Sequence, residues 1–320
     1  MSFKDPAQLP DPDQAMRWNW SSAYPAPAKL NLFLHVTGRR PDGYHTLQTL
    51  FRFVALQDTL RFVPRSDGQI VLANPIPGVA PESDLTVRAA QALRQAAGIG
   101  DGVTIFLDKQ LPMGGGLGGG SSDAATVLIA LNSLWRLGAS RAELLSLALP
   151  LGADVPVFVF GQSAFAEGVG EALTPVDLPP AWYLIIHPGV SVPTAGIFSS
   201  PALRRDAPRI RPEHWQSALK GGVGENDLES VALTAYPDVA AALAWLRQQP
   251  EVAGRCRMTG SGACVFAVFD EVAGAEAVKA RLPSGPGGWT AWVAQGLDQH
   301  PLKALIPDAR EGCANAKNPI

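Results

Sequence analysis

Cysteine is scarce in this 320-residue chain: it has only Cys256, Cys264 and Cys313, and no CxxC pair. An odd, widely spaced set argues against a disulfide framework and a structural zinc site, and it is typical of a reducing compartment. No apolar run approaches the roughly 18 residues that a membrane span requires. The N-terminus lacks the apolar segment of a signal peptide. These absences predict a cytoplasmic protein without a membrane partner.

The chain also lacks an excess of positive charge. Lys and Arg number 26 against 29 Asp and Glu, a net charge of −3, whereas a broad nucleic-acid surface usually carries a basic excess. We therefore expect no nucleic-acid partner. Hydrophobic residues make up 47% of the chain and charged residues 17%, which excludes disorder as the dominant state.

The periodicity of the apolar residues predicts strands and helices in mixed order. Alternation over 29–36 predicts a strand, and the apolar runs at 46–56 and near 59–63 predict two more in an antiparallel arrangement. Ser83 is expected to cap a helix over 84–97. Further strands are predicted at 103–107, 182–187, 263–269 and 289–294, and further helices at 124–137, from 141 to before 152, and at 226–233, 239–248 and 275–282.

The length of the chain is sufficient for two domains. Residues 1–22 are polar and rich in proline, which predicts a loose leader. A proline-rich stretch near 175–180 predicts a boundary between a first domain over 23–178 and a second domain over 179–299. Residues 300–320 are expected to form a tail.

The strongest local signal is the glycine-rich loop, residues 114–120, in which six of the seven positions are glycine. Glycine in a helix or strand costs up to about 1 kcal/mol relative to Ala, so such a concentration needs a purpose. Without Cβ atoms, successive N–H groups can point into one concavity, and the following helix adds its free amides and positive dipole end. Ser121 and Ser122 place hydroxyls where a phosphate or its metal would lie. This pattern predicts a phosphate site rather than a flexible linker.

The residues around these glycines can be compared with two known kinds of phosphate-binding loop. A Walker A loop requires Lys after the last glycine, but Ser121 follows Gly120. The dinucleotide pattern GxGxxG is present as Gly114, Gly116 and Gly119, although the acidic residue expected about 20 positions later is missing. A nicotinamide-dependent oxidoreductase therefore stays open as an alternative.

The string PMGGGLGGGSSDAA at 112–125 resembles the ATP loop of the GHMP kinases. The segments PAKLNLFL at 27–34, GRRPDGYH at 38–45 and LGADVPVF at 151–158 narrow the resemblance. They are similar to the branch of that family that phosphorylates a hydroxyl of the methylerythritol part of a cytidine diphosphate ester. Further matching pieces follow in the expected order at 188–194, 226–229 and 258–262, so that the resemblance covers about residues 25–295.

This resemblance implies a two-domain α+β GHMP kinase fold with mixed and antiparallel sheets, helices and an active-site cleft between an ATP-binding domain and a substrate domain. It implies ATP as the phosphoryl donor, Mg²⁺ as a cofactor, and a 2-phosphate product in non-mevalonate isoprenoid precursor synthesis. Another small alcohol acceptor, such as mevalonate, homoserine or galactose, stays open. So does a nucleotide-binding sensor without catalysis.

The resemblance also implies roles for particular residues. Asp154 corresponds to the catalytic base that accepts the proton of the attacking hydroxyl. Lys29 corresponds to a second catalytic position that holds the hydroxyl or stabilises developing charge. Tyr44 and Phe198 are expected to stack on the pyrimidine from two sides.

The other expected site residues fall into two groups. Those expected to bind ATP are Lys109, Pro112, Met113, Gly114, Gly115, Gly116, Leu117, Gly118, Gly119, Gly120, Ser121 and Ser122. Those expected to bind the cytidine ester are Asn31, Tyr44, His45, Thr194 and Phe198. Ser122 is also a candidate ligand of Mg²⁺, and the rest of the metal shell is not assigned.

Overall fold

The computed structural model describes residues 18–220, 222–283 and 288–307. The predicted leader up to residue 17, the predicted tail from residue 308, and Cys313 lie outside the described residues. Trp18 and Trp20 belong to the predicted leader, yet both pack against the hydrophobic core of the first half of the chain. The leader is therefore not loose at its end.

The described residues contain ten strands and eight α-helices in mixed order, which confirms the α+β class. The strands are β1 (Tyr24–Arg39), β2 (His45–Arg65), β3 (Ile70–Leu72), β4 (Gly102–Asp108), β5 (Ala164–Glu167), β6 (Ala172–Pro175), β7 (Trp182–His187), β8 (Cys256–Met258), β9 (Val265–Phe269) and β10 (Thr290–Leu297). The helices are α1 (Leu85–Ala97), α2 (Gly119–Leu134), α3 (Arg141–Ala148), α4 (Val155–Phe160), α5 (Thr194–Ser199), α6 (Glu229–Ala235), α7 (Pro237–Arg247) and α8 (Val272–Lys279).

β1 and β2 form a long antiparallel hairpin that carries much of the site. The prediction of two separate strands at 46–56 and 59–63 is wrong, because β2 runs through both without a break. Pro27 pairs with Gln57 but Ala28 pairs with Val54, so β2 bulges between these pairs. A bulge leaves residues unpaired and bends the strand, which explains why the sequence pattern looked like a strand end.

The sheet extends through both halves of the molecule in the order β3-β4-β2-β10-β7-β9-β8, with β1 and β5 also paired to β2 and β6 paired to β5. β10 joins the halves, since Gly296 and Leu297 pair with β2 and the residues from Thr290 to Gln295 pair with β7. Among the described pairs of strands, only β3 and β4 run parallel. This is not the parallel sheet that a dinucleotide-binding fold requires.

Helices cover the sheet in two groups. α1, α2 and α4 contribute to the core of the first half, and α6, α7 and α8 contribute to that of the second half. Leu302 and Ile306 return to the first core, so the predicted tail is packed at least as far as residue 306. None of the described helices is long and apolar enough to cross a membrane.

Two helix starts differ from the prediction, and both matter for the site. Asp84, not Ser83, caps α1, and its carboxylate accepts from the amides of Thr86 at 2.8 Å and Val87 at 3.3 Å. α2 begins at Gly119, inside the glycine-rich loop and five residues earlier than predicted. Helix propensity disfavours glycine, but here the residues from Ser122 to Asn132 are buried, and tertiary packing overrides propensity.

Candidate active site

A large cavity of about 990 Å³ lies where the first hairpin, the glycine-rich loop and α5 meet. Every residue predicted for the site lines it except Ser122, which is fully buried one position beyond Ser121. The cavity draws Tyr44 and His45 from the first half of the chain and Thr194 and Phe198 from the second. The structure thus brings segments far apart in sequence into one site.

The backbone of the glycine-rich loop is shaped to bind an anion. Gly114, Gly116 and Gly118 have φ of 64°, 73° and 72°, whereas the residues between them do not have positive φ. Such alternation turns successive N–H groups toward one side and forms an anion-binding concavity. α2 starts directly at its end, with no side chain capping its first amides, so the positive end of its dipole faces the same place.

The carbonyl oxygens of the loop are bonded to the second half of the chain. The Gly114 carbonyl accepts from the Ala263 amide and the Gly115 carbonyl accepts from the Cys264 amide, both at 3.0 Å. A Cβ atom on Gly116 would lie 2.2 Å from the Thr259 carbonyl oxygen, so glycine is required at this close approach. The loop is therefore held open by packing rather than left flexible.

Lys29 and Asp154 form an ion pair at the edge of this loop. The Lys29 Nζ lies 3.0 Å from the Asp154 Oδ2, with side chains 3% and 35% exposed respectively. The Lys29 amide donates to the Leu117 carbonyl at 3.0 Å, and a Cβ on Gly118 would touch the Lys29 stem at 3.0 Å. Asp154 precedes α4 but makes no cap hydrogen bond, so helix capping does not explain it.

Asn31 lies beside this pair and is fully engaged within the protein. Its Oδ1 accepts from the Lys29 Nζ at 2.6 Å, and its Nδ2 donates to the Thr49 Oγ1 at 2.9 Å. Its backbone amide donates to the Thr259 Oγ1 at 3.0 Å. These contacts orient Lys29 from β1, while the predicted contact of Asn31 with substrate stays a prediction.

Lys109 precedes the glycine-rich loop in the chain, and its ammonium lies between two buried carboxyl groups. Its Nζ donates to Asp58 on β2 and, at 2.8 Å, to Asp123 in the first turns of α2. Asp58 also accepts from the amides of Gln110 and Leu111, which ties the chain before the loop to β2. Lys109 lines the cavity, but both ionic partners are protein groups, so the structure gives it a role in holding the loop.

The ionisation of this cluster follows from its burial. Burial opposes the charge on Lys109, but the charges of Asp123 and Asp58 outweigh it and raise the pKa of Lys109. Burial, helped by the Asp58 charge, raises the pKa of Asp123 despite the neighbouring ammonium. Two carboxylates sharing one ammonium in a buried place explain both directions.

The aromatic end of the cavity is the part of its lining that carries the rings of Tyr44, His45 and Phe198. Tyr44 is 64% exposed and follows a turn in which its amide donates to the Asp42 Oδ1 at 3.1 Å. His45 begins β2, and its ring centroid lies 5.1 Å from that of Phe198 on α5. An exposed ring and a nearby pair of rings can stack on the faces of a planar heterocycle.

Sequence reasoning missed several lining residues. Ser261 lines the cavity and lies in the segment 258–262, which matches the family but has no predicted role in the site. Its Oγ lies 2.7 Å from the Thr194 Oγ1. Asp84, Leu85, Ile76 and Val79 also line the cavity, and Leu85 lies beside Gly120 of the glycine-rich loop. The cap signal before α1 could have pointed to Asp84, but nothing local in the sequence placed it near the loop.

The class of protein emerges from the comparison with family models. The model described as GHMP kinases N terminal domain matches residues 84–162, and that described as GHMP kinases C terminal matches residues 212–286. A solved homoserine kinase from Cytophaga hutchinsonii shares the fold with a TM-score of 0.58 at 18% identity, over 87% of this chain and 94% of that chain. The cavity is thus the candidate site of a GHMP kinase.

Proteins with higher sequence identity to this chain show which kind of GHMP kinase it resembles. The chain is 61% identical to a Dechloromonas aromatica protein named 4-diphosphocytidyl-2-C-methyl-D-erythritol kinase, over 88% of this chain and 99% of the relative. A Thiobacillus denitrificans protein of that name is 55% identical over 90% and 100%. A crystal structure of 4-(cytidine 5'-diphospho)-2C-methyl-D-erythritol kinase matches with a TM-score of 0.70 at 37% identity, over 86% and 99%.

The chain belongs to the 4-diphosphocytidyl-2-C-methyl-D-erythritol kinase family. It is an ATP-dependent small-molecule kinase, and the nicotinamide-dependent alternative is wrong. The antiparallel pairing of β2 with β4 at this part of the sheet also differs from the parallel sheet of a dinucleotide-binding fold.

Gly116→Ala should destabilise the protein by about 2–3 kcal/mol, because it combines a positive φ with a close backbone contact. Gly120→Ala is the matched control, since its Cβ would meet only the Leu85 Cδ1 at 3.7 Å. Thermal unfolding followed by circular dichroism checks both variants. Equal melting temperatures for the two would contradict a loop held by close packing at Gly116.

Asp123→Asn should gain stability over the wild type as pH rises. A carboxyl whose pKa is raised on folding stabilises the fold below its ordinary pKa of 3.8 and loses that contribution as pH rises through the raised value. Burial raises this pKa to about 8, so between about pH 5 and about pH 8 melting curves should show the difference growing by up to about 1.4 kcal/mol for each pH unit. Exposed Asp101→Asn is the control, and parallel curves for both variants would refute the assignment.

Proposed function

We propose that the protein transfers the terminal phosphoryl group of ATP to a hydroxyl of 4-diphosphocytidyl-2-C-methyl-D-erythritol, giving the 2-phosphate in non-mevalonate isoprenoid precursor synthesis. The observation that carries the proposal is the Lys29–Asp154 pair, which lies against the glycine-rich loop and lines the same cavity as the aromatic rings. The relatives that bear this enzyme's name match over nearly their whole length, which supports the choice of acceptor.

The donor binds at the glycine-rich loop. The amides of the loop and of the first turn of α2 hold the phosphates, and the wall formed by Ile76, Val79, Asp84 and Leu85 faces the rest of the nucleotide. Lys109 acts from below by keeping the loop in place through Asp58 and Asp123. The terminal phosphoryl group then faces the Lys29–Asp154 pair.

The transfer itself needs positioning and charge stabilisation more than covalent chemistry. Asp154 is the more exposed member of its pair, so its carboxylate accepts the proton of the acceptor hydroxyl as the new P–O bond forms. Lys29 is fixed by Asn31 and by the loop, so its ammonium holds the hydroxyl and offsets the negative charge that develops on the phosphoryl oxygens.

Mg²⁺ is the cofactor that we propose for the triphosphate. Kinase Mg²⁺ is held mainly by phosphate and water oxygens with one or two protein oxygens, and no group of three or more His, Cys, Asp or Glu among the described residues could hold a metal alone. The Asp123 Oδ1 and Ser122 Oγ atoms are buried near the start of α2 without hydrogen-bond partners, so they are suited to be the one or two protein oxygens that Mg²⁺ requires. When bound, the cation neutralises phosphate charge, and these two residues would hold it.

The acceptor binds at the aromatic end. Tyr44 and Phe198 stack on the cytosine, while His45, Asn31 and Thr194 supply polar contacts. Tyr44 is large and exposed at the cavity, an arrangement that suits a ligand face more than a core position. Because both predicted domains supply residues, the division at 178/179 would place the acceptor at their junction.

We place the reaction in the cytoplasm. Cys256 and Cys264 are free and buried, which suits a reducing compartment. Another small alcohol acceptor would need no aromatic pair of this kind, and a sensor without catalysis would need no carboxylate beside the loop. Both alternatives are therefore less suited to the cavity than the cytidine ester.

Asp154→Asn should lower kcat by at least about a hundredfold while ATP still raises the melting temperature, because the variant removes the base but leaves the loop intact. An ADP-release assay and thermal shift measure the two properties. Asp177→Asn, on an exposed carboxylate, is the control. Full turnover of Asp154→Asn would remove this residue from the mechanism.

Tyr44→Ala should raise KM for the cytidine ester about tenfold or more and leave KM for ATP unchanged, since stacking on a base is worth about 1–3 kcal/mol. The ADP-release assay should be run with the cytidine ester, mevalonate, homoserine and galactose. Exposed Phe106→Ala serves as the matched aromatic control. An unchanged KM for the ester, or faster turnover of another acceptor, would contradict the proposed acceptor site.

A further inference from the structure

Arg205 lies behind the aromatic end of the cavity, in the loop that follows α5, and does not line the cavity itself. All three of its guanidinium nitrogens are bonded. Nε donates to the His45 Nε2 at 3.0 Å, and Nη1 donates to the Leu203 carbonyl at 2.9 Å. Nη2 donates to the carbonyls of Phe198 at 3.1 Å and Ser200 at 2.7 Å.

The bond to His45 determines where the imidazole carries its proton. A guanidinium has only donors, so the His45 Nε2 must accept. A neutral imidazole with an accepting Nε2 carries its hydrogen on Nδ1. The hydrogen bond from Arg205 is thus enough to select the Nδ1–H tautomer of the neutral His45 ring.

The same guanidinium fixes the spacing of the aromatic end. It binds the carbonyls at the end of α5 and, on its other edge, the ring at the start of β2. His45 and Phe198, whose ring centroids are 5.1 Å apart, are therefore joined by one rigid planar group.

The electrostatic surroundings keep His45 neutral. Burial, then the positive charges of Arg205 and Arg39, lower the pKa of His45. Among the residues that the structure describes, these two arginines are the charged groups that shift the pKa of this ring, one from the loop after α5 and the other from the end of β1. A neutral ring has one donor and one acceptor, so its tautomer determines which kind of ligand atom it can bind.

We infer that Arg205 is a positioning residue for acceptor specificity, which holds His45 as the Nδ1–H tautomer so that the imidazole presents a donor to an acceptor atom of the pyrimidine ring. The inference rests on the proposed function for the identity of that pyrimidine. The tautomer itself is a property of the protein without ligand. Arg205 touches neither the phosphates nor the reacting hydroxyl and acts through His45 and Phe198.

The first experiment measures the tautomer directly. Nitrogen-15 NMR of the histidine rings in the full-length, ligand-free protein should show His45 with its proton on Nδ1, with His45→Gln used to assign the signal. Arg205→Ala should give a mixture of tautomers and a higher pKa for His45. A wild-type ring with its proton on Nε2 would overturn the inference, whatever the enzyme phosphorylates.

The second experiment measures the consequence for binding. Arg205→Ala should raise KM for the cytidine ester about tenfold near pH 8, the loss of about one hydrogen bond, with kcat and KM for ATP nearly unchanged. The KM ratio of variant to wild type should fall as pH decreases through the pKa of His45, because the imidazolium donates from both nitrogens. A ratio independent of pH would indicate only a structural role and overturn the inference.

Two further variants make the result specific. Arg204→Ala removes the neighbouring arginine, which is exposed and bonded to Asp206 at 3.0 Å, and should behave as wild type. Arg205→Lys keeps the charge but not the planar set of donors, so it should show the same KM defect. It replaces Arg205→Ala as the test variant if Arg205→Ala does not fold. Guanidinium ion added to Arg205→Ala should lower KM again. Failure of the proposed function would instead appear as wild-type enzyme inactive on the cytidine ester with the Nδ1–H tautomer still present.

Discussion

The glycine-rich loop is fixed from both sides by segments distant in the chain. The Leu117 carbonyl accepts from the Lys29 amide on β1, and the Gly115 carbonyl accepts from the Cys264 amide in the second half. Glycine loses more conformational entropy than any other residue when it is ordered, so a run of glycines keeps one shape only where the surroundings impose it. The contact with Lys29 also positions the Lys29–Asp154 pair, so the phosphate site and the acid–base pair depend on the same interaction.

Two lysines that look alike in sequence have different surroundings. Lys109 is saturated by the two buried carboxylates of Asp58 and Asp123, and its charge is used to join β2, the loop and α2. Lys29 faces a neutral amide and the partly exposed carboxylate of Asp154. An ammonium held between two buried carboxyl groups of the protein has little capacity left for a substrate, whereas one with a single, partly exposed partner can share its charge.

The sequence predicted what depends on neighbouring residues. The start of α3 at residue 141, where Ser140 and Glu143 form a capping box, and the strand β7 depend on local patterns, and the structure has both where they are predicted. The family resemblance added the candidate site residues to this prediction, because the motifs of the family occur in the expected order along the chain. What could not be predicted depends on distant partners: the bulge in β2 is defined only by its pairing with β1, and the Lys109 cluster joins three segments. Arg205 has no local signal at all, since its significance arises from the ring that it meets 160 positions away.

The order in which the chain is synthesised gives the long-range support of the loop a further meaning. Thr259 follows Gly116 by 143 residues, and β10, which closes the sheet between the halves, comes later still. At translation rates of about 5–20 residues per second, the glycines emerge from the ribosome roughly 7–30 s before the residues that brace them. In a nascent chain the glycine-rich loop therefore lacks the second-half contacts that hold its shape until most of the chain has been synthesised.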